Sequence, residues 1–197
     1  MITLSPPRPS VTDMSTVSPA SPPGWRLAAS RWRQRFTATA LLHSRAVIVD
    51  VETTDLTGRI CEIAIFDTSG RPLLDTLVNP QVPISAEASA VHGITDADVA
   101  DAPTWQQVAP AVLRAITGRT VIAYNAPFDQ GIIRSELRRA GHDPRPAEGS
   151  WWCLMRARAT VENRPWQALQ GGHRAAGDCR AALAVLKSVS LRVPARR

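Results

Sequence analysis

Three short apolar segments, Ala46–Val51 (AVIVDV), Ile60–Phe66 (ICEIAIF) and Leu73–Val78 (LLDTLV), follow one another with brief polar links. Segments this short, rich in branched residues and bounded by turn signals such as Asp67-Thr68-Ser69-Gly70, read as strands. Their links are too short for a crossover, so the three form an antiparallel meander. Ahead lie short helical pieces over Ile84–Val91 and Asp96–Ala100, and Thr104 stands as cap of a helix through Val108, Val112 and Ile116. Thr120–Tyr124 (TVIAY) reads as a fourth strand. Asn125 then reads as cap of a helix with Pro127 in its first turn and Phe128, Ile132, Ile133 and Leu137 on its apolar face, ending at Gly141. Trp151–Met155 is a fifth strand or the start of a helix, and the last helix runs from about Ala175 to Val189. A meander followed by alternating helices and strands predicts an α/β fold, a mixed five-stranded sheet with helices on both faces. Sites of open α/β sheets lie beyond the carboxyl ends of the strands, which is where Asp50, Glu52 and Asn125 fall.

Residues 46–190 form the expected folded domain. Residues 1–24, rich in Pro, Ser and Thr, predict a disordered tail. Residues 25–45 predict a basic amphipathic helix or linker, with Trp25, Ala28, Ala29, Trp32 and Phe36 at helical spacing and Arg26, Arg33 and Gln34 on the other face. Such a helix packs on the domain, lies on a membrane surface or touches nucleic acid, and packing on the domain is the favoured expectation. The net charge of +6 is unevenly placed. Residues 1–45 carry +5, the basic tail 191–197 carries +3, and residues 46–190 carry −2. Such tails assist contact with polyanions. No apolar run approaches the ~18 residues of a membrane span. The first residues lack the apolar core of a secretory signal. Three widely spaced cysteines, with no CxxC pair, suggest neither a disulfide framework nor a zinc site. The expected setting is reduced and cytoplasmic.

Three segments carry chemistry. In VDVETTD, Asp50 and Glu52 are two apart on a strand and point to one face. Two such carboxylates repel unless a divalent cation lies between them, and hard oxygen ligands suit Mg²⁺ or Mn²⁺. In AYNAPFDQ, Asp129 faces back toward the strand end, although an acid in a first turn is also ordinary dipole compensation. In GGHRAAGDC, His173 and Asp178 would diverge by roughly 140° within one helix. They converge only if His173 sits on the glycine-flanked loop, where it is a candidate general base. Each segment alone has a plain structural explanation; together they place four carboxylates and a histidine where strands end or helices begin.

With D-x-E, N-x-x-x-D and H-x-x-x-x-D in that order, residues 46–189 resemble the DEDDh family of 3′–5′ exonucleases. That family has an RNase H-like fold and includes the proofreading epsilon subunit of bacterial DNA polymerase III, ribonuclease T and oligoribonuclease. VHGIT at 91–95 resembles a further segment of epsilon-like members. The resemblance implies a two-metal mechanism, with Asp50, Glu52 and Asp178 on one cation and Asp50 with Asp129 on the second. It makes His173 the base toward water and places Thr53 and Thr54 by the terminal sugar. Leu56 and His92 would pack on the base, with Asn125 ordering the turn before Asp129 or lying near substrate. The implied activity releases nucleoside 5′-monophosphates from 3′ ends of single-stranded DNA or RNA. A catalytically silent binding module of the same fold, or a proofreading subunit, are the alternatives. No polymerase-binding element is indicated, and a homodimer is open because several members are dimers. Asp55 departs from the family, whose members often have glycine there; a less permissive loop is expected.

Overall fold

The computed structural model describes residues 24–191, so the tail expected before residue 24 and nearly all of the basic tail after residue 190 lie outside the described residues. The chain begins with α1 (Gly24–Leu42) and then forms β1 (Val47–Thr53), β2 (Ile60–Asp67) and β3 (Pro72–Leu77). The short helices α2 (Ala86–His92) and α3 (Asp96–Val99) lead to α4 (Trp105–Ile116), β4 (Val121–Ala123) and α5 (Ala126–Arg139). A 3₁₀ turn at Arg145–Glu148 precedes β5 (Trp151–Cys153), α6 (Leu154–Glu162) and α7 (Ala175–Val189). Both readings of residues 151–155 therefore hold, because the fifth strand passes directly into a helix.

The sheet order is β3-β2-β1-β4-β5. The meander pairs antiparallel, whereas β1–β4 and β4–β5 are parallel. This is the mixed five-stranded sheet that the segment order predicts. Strand alternation sorts the core into two layers. Val47, Val49 and Val51 face α4 and α5, whose Val108, Val112, Ile133 and Leu137 cover them. Ile48, Ala64 and Phe66 face the other way, under α1, α6 and α7. Asp50 and Glu52 continue the Ile48 side and so meet α7 rather than α5. The strand runs to Thr53, two residues past the expected end, which sets both acids inside paired β-structure instead of at a frayed end.

Helix α1 differs from expectation in the face it buries. Ala38 and Leu41 make its contact with the domain, while Trp25, Trp32 and Phe36 are exposed. At about 100° per residue the three aromatics fall within roughly 40° of one another, on the side away from Ala38 and Leu41. Two polar contacts pin its second half, Arg35 Nη1 to the Ser190 carbonyl at 3.2 Å and Leu191 N–H to Thr39 Oγ1 at 2.8 Å. Ala38 and Leu41 join the core layer shared with α6 and α7, while the aromatic rings lie on the opposite side of the helix. Among the described residues no helix is long and apolar enough to cross a membrane.

Candidate active site

Strand β4 is only three residues long and pairs with just Val47 and Ile48 of β1. The far half of that edge of β1 is thus left without a strand partner, and the first turn of α5 comes to it. The buried Asp129 carboxylate accepts hydrogen bonds from the Val51 amide and from its own. From the opposite layer, Asp178 in the first turn of α7 reaches Asp50 and Glu52. One carboxylate oxygen from each of these three residues lies within 4.8 Å of the others. Asp129 adds a fourth acid whose charge acts strongly on Asp50. Three segments that are distant in sequence, β1, α5 and α7, therefore bring together all four predicted acids.

The acids perturb one another. Burial, followed by the charges of Asp129, Asp178, Glu52 and Glu62, holds the Asp50 carboxyl well above the usual range. Burial and the charges of Asp178 and Glu62 push Glu52 up to about 7, partly opposed by Arg174. Burial lifts Asp129 to about 8 despite its two amide hydrogen bonds. Asp178 is raised by burial and drawn down by the charge of His173. Such a cluster ionises fully only around cations. Asp178 Oδ1 is buried with no hydrogen-bond partner, as an oxygen reserved for a ligand would be. The donor set is all oxygen, which fits Mg²⁺ or Mn²⁺.

His173 precedes α7 on the loop and is exposed, with a left-handed φ of 53°. That placement takes it off the helix, the condition for convergence with Asp178. The loop presses tightly on the acid, because a Cβ at Gly171 would lie 1.7 Å from Asp178 Oδ1. No side chain fits there. Sequence reasoning missed the residue that anchors this loop, Glu62. It stands opposite Glu52 in the β1–β2 register and is buried in an otherwise apolar strand. Its carboxylate accepts from Arg174 (Nη2 to Oε1, 2.6 Å) and from the Ala175 amide at 2.8 Å, tying the start of α7 to the sheet. We expect Glu62→Gln, which cannot pair with the guanidinium as an anion, to lower kcat about 10- to 100-fold with KM little changed. Steady-state kinetics on a folded variant checks it, and equal changes in both constants would contradict a positioning role.

Beside the acids is a cavity of about 550 Å³, walled by Thr53, Asp55, Leu56, Val91, His92 and Phe128. Leu56 projects at its rim and is 86% exposed, as an apolar side chain awaiting a partner would be. His92 is buried; Nδ1 accepts from the Ile94 amide at 3.0 Å, so Nε2 carries the proton and faces the Thr53 carbonyl at 3.3 Å. The threonine hydroxyls serve the loop: Thr53 Oγ1 donates to the Asp55 carbonyl at 2.6 Å, and Thr54 Oγ1 accepts from the Arg59 amide at 3.0 Å. Thr54 is buried and outside the cavity wall. Asp55 needs no glycine-like backbone, since its carboxylate accepts from the Thr57 amide at 2.7 Å and closes the turn itself. The close approach instead falls on Gly58, where a Cβ would meet Thr54 Oγ1 at 2.2 Å. Asn125 occupies the cap position of α5, but its exposed side chain makes no capping bond; its carbonyl accepts from the Phe128 amide at 2.9 Å.

The chain is similar to known exonucleases. The chain is 30% identical over 177 residues to the uncharacterized exonuclease CP81 of Escherichia phage 186, covering 76% of this chain and 90% of that one. It is 32% identical over 126 residues to exodeoxyribonuclease 10 of Escherichia coli strain K12, covering 62% of this chain and 49% of the relative. The fold matches E. coli Exonuclease I in complex with a dA16 oligonucleotide, with a TM-score of 0.62 at 19% identity over 73% of this chain and 40% of that one. The chain thus spans about half or less of the latter two proteins. The RNase T family model, described as exonuclease, matches residues 47–186, from the first residue of β1 to the last turns of α7, and the chain belongs to that exonuclease family.

Proposed function

We propose that this protein is a metal-dependent 3′–5′ exonuclease that removes nucleotides from single-stranded DNA or RNA ends. The observation that carries the reading is the convergence of Asp50, Glu52 and Asp178 within 4.8 Å, beside buried Asp129 and exposed His173. Asp50, Glu52 and Asp178 would hold one divalent cation, and Asp50 with Asp129 a second. When bound, two such cations stabilise the attacking and leaving oxygens of an in-line displacement. His173 takes the proton of the attacking water, its exposed loop position allowing the proton to pass on to solvent. Leu56 and Phe128 sandwich the terminal base, and the backbone around Thr53, held by His92, lies along its sugar. Thr53, Asp55 and Leu56, from the end of β1 and the turn after it, line the cavity in which the chain terminus would lie. Cleavage leaves a nucleoside 5′-monophosphate.

Incubating the protein with 5′-labelled single-stranded DNA and RNA in Mg²⁺, Mn²⁺ or chelator tests the reading. Stepwise shortening that needs metal is expected. Persistence of activity in chelator, or release of the 5′ label first, would overturn it. Tight binding without any cleavage would point to a silent binding module.

A further inference from the structure

Resting on the exonuclease reading, we infer that the groove between α1 and α6 binds the body of a single-stranded nucleic acid whose 3′ end lies in the active site. Helix α1 lies ahead of the span that the family model matches. Three hollows share their walls and make one continuous track. Trp32, Arg31 and Arg35 line the first; the two arginines then face Arg158 and Arg164 across the groove. Arg158 continues into the third hollow, which reaches Gln170, the neighbour of Gly171 and hence of the His173 loop.

The chemistry of this track fits a phosphate backbone with bases beside it. Helix α1 has four arginines and no acid. Arg31 and Arg164 are exposed and form no ion pair among the described residues, while Glu162, the acid in the groove, is paired with Arg158. Trp32 stands exposed at the rim, with Trp25 and Phe36 on the same stripe. Aromatic faces next to arginines are how sequence-tolerant binders hold single strands. A second copy of the chain fits poorly, since its α1 would bring arginines against arginines. The folded domain is otherwise mildly acidic, so a polyanion needs such a track to approach.

The test compares the wild type with Arg31→Ala/Arg164→Ala and Trp32→Ala. Dissociation constants are measured by fluorescence anisotropy in chelator, so that no strand is shortened, for a 3-mer and a 16-mer oligothymidylate over a range of salt. The ratio of 3-mer to 16-mer Kd is expected to fall about tenfold in either variant. The salt slope for the 16-mer should drop by about 1.4 in the double arginine variant. An unchanged ratio and slope would overturn the inference, as would variants that keep the 16-mer but lose binding to vesicles of anionic phospholipid. If the wild type shortens no oligonucleotide in metal, the functional reading fails instead, and the two failures are told apart. Should Trp32→Ala unfold, Trp32→Gln keeps the measurement possible.

Discussion

Asp50→Asn is expected to abolish metal-dependent hydrolysis, by about 10³-fold or more, while raising the thermal midpoint of the cation-free protein. Both effects come from its central place among the acids. Asp50 is the one carboxylate assigned to both cations, and the charges of Asp129, Asp178, Glu52 and Glu62 all act on it. Losing a group that acts as part of a unit costs nearly the whole catalytic effect of that unit. Without cations the same carboxylate is repelled on several sides, and an uncharged amide of equal size relieves the repulsion. A gain of a few degrees at pH 8 would follow from about 1–2 kcal/mol. Nuclease assays and thermal melts in chelator measure the two halves separately. Retained activity would remove Asp50 from the cation site, and a lowered midpoint would show that the cluster is not strained by charge.

The second large effect is on the pH dependence of stability. Glu52 titrates at about 7 and Asp129 at about 8, above their ordinary values of 4.5 and 3.8. Between the unfolded and folded values the native state binds more protons than the unfolded chain, so stability falls as pH rises. The cation-free protein should therefore lose stability progressively from about pH 4 to pH 8. The loss is on the order of 5 kcal/mol, mostly from enclosed Asp129, because partly exposed Glu52 is screened. This corresponds to about 15 °C in midpoint. Millimolar Mg²⁺ or Mn²⁺ should flatten the profile by binding the ionised native form. Melting curves across this window, with chelator and with metal, check the sign. A midpoint that rises with pH in chelator would contradict it.

What could be read from the sequence, and what could not, divides along the range of the interactions. The meander was legible because β2 and β3 follow β1 with short links and strong apolar runs. The acids were legible because two-residue spacing on a strand fixes a shared face. His173 was legible through its two glycines. Glu62 was not: its partner Arg174 is 112 residues away, and a single acid inside ICEIAIF leaves no local spacing to detect. The same holds for Glu136, buried in α5 and paired with Arg59 at 2.7 Å, which ties the turn after β1 to the helix that carries Asp129. The burying face of α1 was not legible because three aromatics at helical spacing look like a core stripe, whereas Ala38 and Leu41 make the contact. The capping expected of the Asn125 side chain failed because the backbone carbonyl takes that task.

The distribution of the site along the chain also bears on when it can exist. Asp50 and Glu52 arrive with the first strand, Asp129 with the fifth helix, and Asp178 with the last. During synthesis no emerging intermediate has the full set of acids, and the loop with His173 has no seat until Arg174 can reach Glu62. On the proposed reading, a chain cut short before α7, or one still on the ribosome, would lack Asp178 and be inert toward nucleic acid. On that reading, degradative capacity would begin only once the final helix has docked.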